Sequence, residues 1–210
     1  MNEKKRIPKS AVSRLSLYLR EIQRLEKDGR DRVSSTELGE FTDLTDAQVR
    51  KDLSYFGNFG TSGSGYEIAT LKASLRKILG KGAMWPIVLV GVGNIGSALL
   101  RYPGFKHEGF VIKEAYDVDR NKIGVRYDEL VVKDVADINK NEKGKAAKIA
   151  IIAVPEKAAQ DVADILVKSN VKCILNFAPV VLKVPEGVTV RNIDLSTELE
   201  NFSFLLSFSK

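Results

Sequence analysis

The run from Val88 to Leu100 constrains this chain more than any other. A short apolar strand, Val88-Leu89-Val90, meets Gly91-Val92-Gly93-Asn94-Ile95-Gly96, and the chain continues into a helix. The spacing G-x-G-x-x-G has physical content only in that strand, turn and helix order. Gly91 permits the tight turn, and Gly93 lets a pyrophosphate approach the backbone. Gly96 lets helix and strand pack closely, while the free N–H groups at the helix start favour an anion. A second apolar strand, Phe110 to Tyr116, ends in Asp117, twenty-one residues beyond Gly96. A carboxylate at that distance suits a ribose 2′-hydroxyl and repels the 2′-phosphate of NADP, so an NAD-type dinucleotide is the expected ligand. Gly91, Val92, Gly93, Asn94, Ile95, Gly96, Asp117 and Val118 are its candidate contacts. The alternative is an empty unit whose glycines only shape a turn.

From Ile87 onward strand and helix patterns alternate. Strands are expected at 87–91, 110–116, 148–154, 172–177 and 188–193, and helices at 95–101, 134–141 and 157–169. The fold class is α/β, a doubly wound parallel sheet with about the minimum number of strands. Ligands bind beyond the carboxyl ends of such strands. Val154, Pro155, Asn176, Phe177, Ala178 and Pro179 are therefore candidate walls around the nicotinamide half; strand-end turns with apolar packing are an equal reading. The single cysteine, Cys173, excludes an internal disulfide, and its apolar strand pattern predicts a buried, inert thiol. At the end of the chain Asp194 can cap a helix carrying Leu195, Leu199, Phe202 and Leu206, widened by Phe204, Leu205 and Phe208. A helix this apolar needs burial on several sides, which a partner subunit would provide.

The first eighty residues have a different character. A helix that Ser10 can cap carries Val12, Leu15, Tyr18, Leu19, Ile22 and Leu25 at three- and four-residue steps and stops at Asp28-Gly29. Ser34 to Glu37 and Thr45 to Gln48 both have the capping-box form, opening two short helices on either side of a tight turn. The second of them turns Val49, Leu53 and Phe56 inward and leaves Gln48, Arg50, Lys51, Ser54 and Tyr55 to face out. Two short helices, a brief turn and a second helix carrying basic and amide groups make a helix-turn-helix signal. Arg and Lys suit guanine edges and phosphates, and Gln suits adenine. The run from Gly57 to Ile68 reads as a hairpin with a tip of nearly bare backbone, a wing suited to a minor groove; a flexible linker is the plainer alternative. Thr70 is expected to cap a helix that Gly80 stops. Net charge is +6, and residues 1–80 hold 15 Lys and Arg against 11 Asp and Glu, so the more basic piece is the smaller one, which tilts it toward a polyanion. The expected division is 1–80, 81–193 and 194–210.

A dehydrogenase needs a group to exchange the substrate's proton as hydride moves. The only histidine, His107, falls at the opposite sheet edge from the glycine turn, Asp117 is committed to ribose, and no Ser-x-x-x-Lys or Tyr-x-x-x-Lys pair falls near the nicotinamide. No catalytic residue and no metal site is assigned. With a DNA reader in front of it, the dinucleotide unit reads as a sensor that biases a two-state dimer toward or away from DNA. The rivals are a small oxidoreductase with an accessory DNA-binding domain, and a nucleoid-type binder with a vestigial dinucleotide fold. No apolar run approaches a membrane span and no signal segment stands at the N-terminus, so the expected location is cytoplasmic.

Ile7-Pro8 with Arg14-Leu15 and Tyr18-Leu19-Arg20, and Ala47 to Gly57 with its Gln48-Val49-Arg50-Lys51-Asp52-Leu53 core, resemble the Rex family of redox-sensing transcriptional repressors. So do Gly65-Tyr66, Tyr102 to Phe105, Tyr116 to Asp119, Asn176 to Leu182 and Asn192 to Asp194. The resemblance covers nearly the whole chain. It implies a homodimer with winged helix-turn-helix N-terminal domains, Rossmann domains and C-terminal helices exchanged between subunits. It also implies release of operator DNA, an inverted repeat, when NADH binds, with NAD+ compatible with DNA. Carried over by position, Lys9, Gln48, Arg50, Lys51, Ser54, Tyr55, Gly63 and Gly65 would meet DNA. Arg20, Tyr102 and Asp194 would form a redox switch between subunits. Two departures stand out: Ser62 where the family's wing carries arginine, and Leu195 where some members carry phenylalanine.

Overall fold

The computed structural model describes residues 7–60, 64–140 and 147–208. The chain divides into two compact units, residues 1–83 and 84–210.

The N-terminal unit begins with α1 (Lys9–Lys27), whose N-cap is Pro8; its carbonyl accepts from Ala11 N at 3.0 Å. Ser10 is thus inside the first turn and does not cap, because proline already fixes the entry backbone and brings no N–H that needs a partner. A short strand, β1 (Arg32–Val33), leads to α2 (Ser35–Thr42) and α3 (Asp46–Ser54). The first capping box is complete: Ser34 Oγ accepts from Glu37 N at 3.0 Å and Glu37 Oε2 from Ser34 N at 2.8 Å. The Arg30 guanidinium, together with those bonds, draws the Glu37 carboxyl down to about 2. The second box is half made. Thr45 Oγ1 accepts from Gln48 N, but the Gln48 amide turns along α3 to Asp52. Between α2 and α3 the chain turns through Asp43 in the left-handed region, and a Cβ on Gly39 would run into the Leu44 carbonyl oxygen. That close approach brings the two helices together.

The next strand, β2 (Tyr66–Glu67), pairs antiparallel with β1, Val33 opposite Tyr66. The tip of the glycine run, residues 61–63, lies outside the described residues. Its returning strand pairs with chain more than thirty residues upstream, a partner too remote for local turn chemistry to reveal. α4 (Ile68–Ile78) follows at once, with Glu67 at the N-cap, and Thr70 donates to Glu67 Oε2 at 2.7 Å instead of capping. Leu15, Tyr18, Leu19, Ile22, Leu38, Val49, Leu53, Ile68, Leu71 and Leu75 close into one core.

The second unit is a seven-stranded sheet. In chain order come β3 (Trp85–Val90), α5 (Asn94–Leu100), α6 (Gly104–His107), β4 (Phe110–Asp117), β5 (Arg126–Tyr127) and β6 (Leu130–Asp134). A 3-10 helix (Val135–Lys140), β7 (Ile149–Ile152), α7 (Glu156–Lys168), β8 (Cys173–Asn176), β9 (Thr189–Asn192) and α8 (Leu195–Phe208) complete it. The spatial order is β5-β6-β4-β3-β7-β8-β9, parallel except for the edge hairpin β5-β6. The sheet therefore exceeds the expected minimum by that hairpin, whose first strand is only two residues long and leaves no periodicity to read. Val88 and Val90 point into one core with α7 residues Ala159, Val162, Ala163 and Leu166; Ile87 and Leu89 point into the other with Leu99 and Leu100 of α5. Burial on both faces is why these strands read as unbroken apolar runs. Cys173 is exposed, at the first position of β8, so the expected burial does not hold: the strand's apolar alternation places Ile174 inward beside it.

One interaction ties the helix-turn-helix to α1. The Asp52 carboxylate, with 0% exposure, accepts from Arg14 Nε and Nη2 at 2.5 and 2.7 Å, from Tyr18 Oη at 2.8 Å and from Gln48 Nε2 at 2.8 Å. Burial pushes this carboxyl up, and the donors from Arg14, Tyr18 and Gln48 outweigh it, so its pKa falls below the ordinary value. Because the folded pKa is the lower one, Asp52 stabilises the fold above the unfolded carboxyl value, about 3.9, and that contribution drains away as pH falls through the folded value. Asp52→Ala should cost about 3–5 kcal/mol in denaturant unfolding, since it strands a part-buried guanidinium and a buried hydroxyl. Asp52→Asn should flatten the acid limb of stability below about pH 4.

Candidate dinucleotide and nucleic-acid sites

The carboxyl ends of β4, β3, β7 and β8 lie side by side, with Val90 level with Tyr116 and Ile152, and Ile152 level with Asn176. Gly91–Gly96, Asp117–Val118, Val154–Pro155 and Asn176–Pro179 thus share one sheet edge. α5 packs on one face of the sheet and α7 on the other, so the chain reverses its winding between β3 and β7, where a doubly wound sheet opens its crevice.

The three glycines have distinct physical reasons. Gly91 sits at φ +94°, and a Cβ there would run into the Ala153 carbonyl across the crevice. A Cβ on Gly96 would run into the carbonyl oxygen of Gly91. Gly93 is different: a Cβ there meets nothing within 4 Å, so no protein contact requires a glycine. A backbone left bare toward open space fits a pyrophosphate approaching it. The Asp117 carboxylate fits the other end of such a ligand. It is buried, Oδ2 accepts from Val92 N at 2.7 Å and from Lys122 Nζ at 3.3 Å, and Oδ1 accepts from Asp119 N at 2.9 Å. Burial raises this carboxyl, but the Asp119 and Val92 N–H groups together with Lys122 hold it below its ordinary value. Ionised at neutral pH, it retains acceptor capacity for a hydroxyl. Lys122 is not part of the fingerprint; in sequence it is one of two cations, with Arg120, within five residues of the acidic strand end.

The remaining candidates sort by exposure. Asn94, Ile95 and Val118 are exposed, Val154 and Phe177 half-buried, Pro155 and Pro179 exposed, and Ala178 buried. Asn176 is fully buried, and its amide is used inside the protein. Nδ2 donates to the Ala178 and Val180 carbonyls and to Asn192 Oδ1, and Oδ1 accepts from Ala178 N. Its geometry is that of a brace for the 176–180 turn. His107 is exposed on α6 ahead of β4, at the edge away from the glycines.

In the N-terminal unit α3 presents Arg50, Lys51 and Ser54 to solvent, with Tyr55 half-buried. Arg50 reaches Asp46 at 2.6 Å and Ser35 Oγ at 3.0 Å, and Ser54 Oγ donates to its own helix at the Lys51 carbonyl. Gln48, expected outward, spends its amide N–H on Asp52, because a buried carboxylate is a stronger acceptor than anything the surface offers. Beside α3 a cleft of about 620 Å³ runs past Ser34, Ser35, Arg50, Ser54, Asn58 and Tyr66. Gly65 stands at φ +66°, its Cβ position 2.9 Å from the Val33 carbonyl. Gly63, Ser62 and the side chain of Lys9 lie outside the described residues. Among the switch candidates, Tyr102 is exposed and stands edge-on to Phe105 at 5.2 Å, and Asp194 Oδ1 accepts from Ser196 N at 2.9 Å as it caps α8. Arg20 is exposed; burial and the neighbouring cations Arg20 and Arg76 push the Lys81 ammonium down.

A family model described as "CoA binding domain" matches residues 83–180, and one described as "Putative DNA-binding protein N-terminus" matches residues 6–54. A redox-sensing transcriptional repressor Rex of Desulforamulus reducens is 46% identical over 205 residues, covering 98% of each chain. The repressor of the same name from Thermus thermophilus is 46% identical over 201 residues, covering 96% of this chain and 94% of its own. Among solved structures, RSP in complex with β-NAD+ and operator DNA aligns with a TM-score of 0.90 at 35% identity, over 95% of this chain and 92% of that one. RSP in complex with β-NADH aligns at 0.86 and 33% identity, over 96% and 95%.

Asp117 holds the Val92 end of the glycine turn, and its ionised carboxylate keeps acceptor capacity for a hydroxyl. Asp117→Ala should therefore weaken NADH binding about tenfold or more in fluorescence titration while the N-terminal unit stays folded.

Proposed function

The chain belongs to the Rex family of redox-sensing transcriptional repressors, and from that premise we propose how its own residues carry out the repressor's work. It is a DNA-binding regulator controlled by NADH and NAD+, and it is not an enzyme. One observation carries this reading. Over 95% of its length the chain aligns, at a TM-score of 0.90 and 35% identity, with a protein solved in complex with β-NAD+ and operator DNA.

At the sheet edge, Gly93 and Asn94 would take the pyrophosphate, Asp117 the adenosine ribose with Lys122 holding the carboxylate in place, and Ile95 and Val118 the adenine. Val154, Pro155, Phe177, Ala178 and Pro179 would wall the nicotinamide, on a turn braced by Asn176. The bound dinucleotide supplies a ring whose charge differs by one between its oxidised and reduced forms. In the reader, Lys51 and Arg50 would meet DNA with Lys9, Ser54, Tyr55, Gly63 and Gly65, and Gln48 would act by positioning α3 through Asp52.

Release needs a dimer with two arrangements that differ in affinity for the two cofactor forms. Asp194 supports such a choice: its exposed carboxylate caps its own helix through Ser196 and would exchange that cap for Arg20 or Tyr102 of a second copy. The second copy is supported by α8, whose seven large apolar side chains are 57–79% exposed in the single chain. Two symmetric readers require an inverted-repeat operator. No helix among the described residues is long and apolar enough to cross a membrane; work on operator DNA supports a cytoplasmic location.

Linkage makes the proposal testable: if NADH weakens operator binding, operator must weaken NADH binding by the same factor. Operator titrations with NADH and NAD+ in parallel should show release by NADH alone. Equal NADH affinity with and without operator would sink the switch, and turnover of NADH with a carbonyl substrate would return the reading to an enzyme. As an internal control, Lys51→Ala should weaken DNA binding and reduce the salt slope by about one, with NADH affinity intact.

A further inference from the structure

The wing has no cation of its own. Residues 57–65 read Gly-Asn-Phe-Gly-Thr-Ser-Gly-Ser-Gly, without a lysine or arginine. By composition, a stretch this rich in glycine has much chain entropy to lose on binding and no positive charge to offer a polyanion.

Both deficits are met from the opposite strand. Arg32 of β1 is exposed and reaches across to the wing. Its Nε donates to the Ser64 carbonyl at 2.9 Å, and its Nη2 bonds the same carbonyl at 2.5 Å, Ser64 Oγ at 2.6 Å and the Gly65 carbonyl at 3.1 Å. The base of the wing is pinched beneath this contact: a Cβ on Gly60 would lie 2.8 Å from the Gly65 carbonyl, and one on Gly65 2.9 Å from that of Val33. Three backbone segments converge where one guanidinium is bonded, and among the described residues its Nη1 edge has no partner.

We propose that Arg32 is the wing's cation: it fixes the wing through Ser64 and Gly65 and presents its remaining N–H edge to a phosphate of the DNA backbone. A guanidinium committed to carbonyls through Nε and Nη2 has no reach left for base edges, so its contact is with phosphate and independent of sequence. Arg32 is a positioning residue for the wing and an electrostatic contact for the duplex. The proposal rests on the DNA-binding reading above.

The test uses the full-length protein with operator and scrambled duplexes across a salt series. Arg32→Ala should bind both duplexes about tenfold more weakly, the loss of a charged hydrogen bond, and its log K against log salt should flatten by about one phosphate's worth. Arg32→Lys should recover the slope but not the full affinity, since an ammonium cannot grip two carbonyls in one plane. NADH titration and thermal unfolding of each variant report the fold. Arg32→Gln, which keeps a donor for the wing and removes the charge, carries the test should Arg32→Ala not fold. Wild-type affinity in Arg32→Ala overturns the proposal, and so does weaker binding with an unchanged slope, which would leave Arg32 a brace alone. Absence of operator binding by the unaltered protein would instead overturn the DNA-binding reading itself.

Discussion

A carboxylate removed from water must be surrounded by donors, and each unit of this protein is arranged around one. In the N-terminal unit Asp52 gathers Arg14 and Tyr18 from α1 and Gln48 from its own helix. These bonds fix the rotation of α3 about its axis and decide which side chains it can offer to a groove. In the second unit Asp117 gathers Val92 N, Asp119 N and Lys122 and so fixes the turn that follows β3. The third buried polar side chain, Asn176, does the same for the turn after β8. Buried Asp52, Asp117 and Asn176 thus each brace an element that carries candidate binding residues.

The division of labour among the glycines follows the same economy. Gly91 and Gly96 are required by protein atoms, since both positions are crowded by carbonyls, whereas Gly93 is crowded by none. A fingerprint of three identical letters thus contains two structural constraints and one that points outward. Gly39 and Gly65 repeat the structural kind in the N-terminal unit, where each lets one backbone cross another.

Much of the fold was legible because its signals are local. Ser34 with Glu37 announces a helix start within four residues, and the unbroken apolar run before Gly91 announces a strand buried on both faces. Of the candidate site, the glycine turn and Asp117 were readable for the same reason: the fingerprint is a spacing. What stayed hidden depends on distant partners. Nothing near Tyr66 says that its strand pairs with Val33, and nothing near Gln48 says that its amide belongs to a carboxylate bonded from α1. Lys122 and Arg32 were missed because a single surface cation has no pattern until the fold places it. Cys173 was misjudged since alternation assigns a face but not the depth of a strand's first residue.

The exposed face of α8 reaches beyond the geometry of pairing. If a second copy covers the seven large apolar side chains that α8 leaves exposed, the stability of the chain depends on how much of it is present. Association and folding then share one free energy, so the melting temperature rises with protomer concentration. In a cell making few copies, dilution alone would act on such a protein as a destabilising agent, and the abundance of the repressor becomes a variable of its persistence as well as of its occupancy.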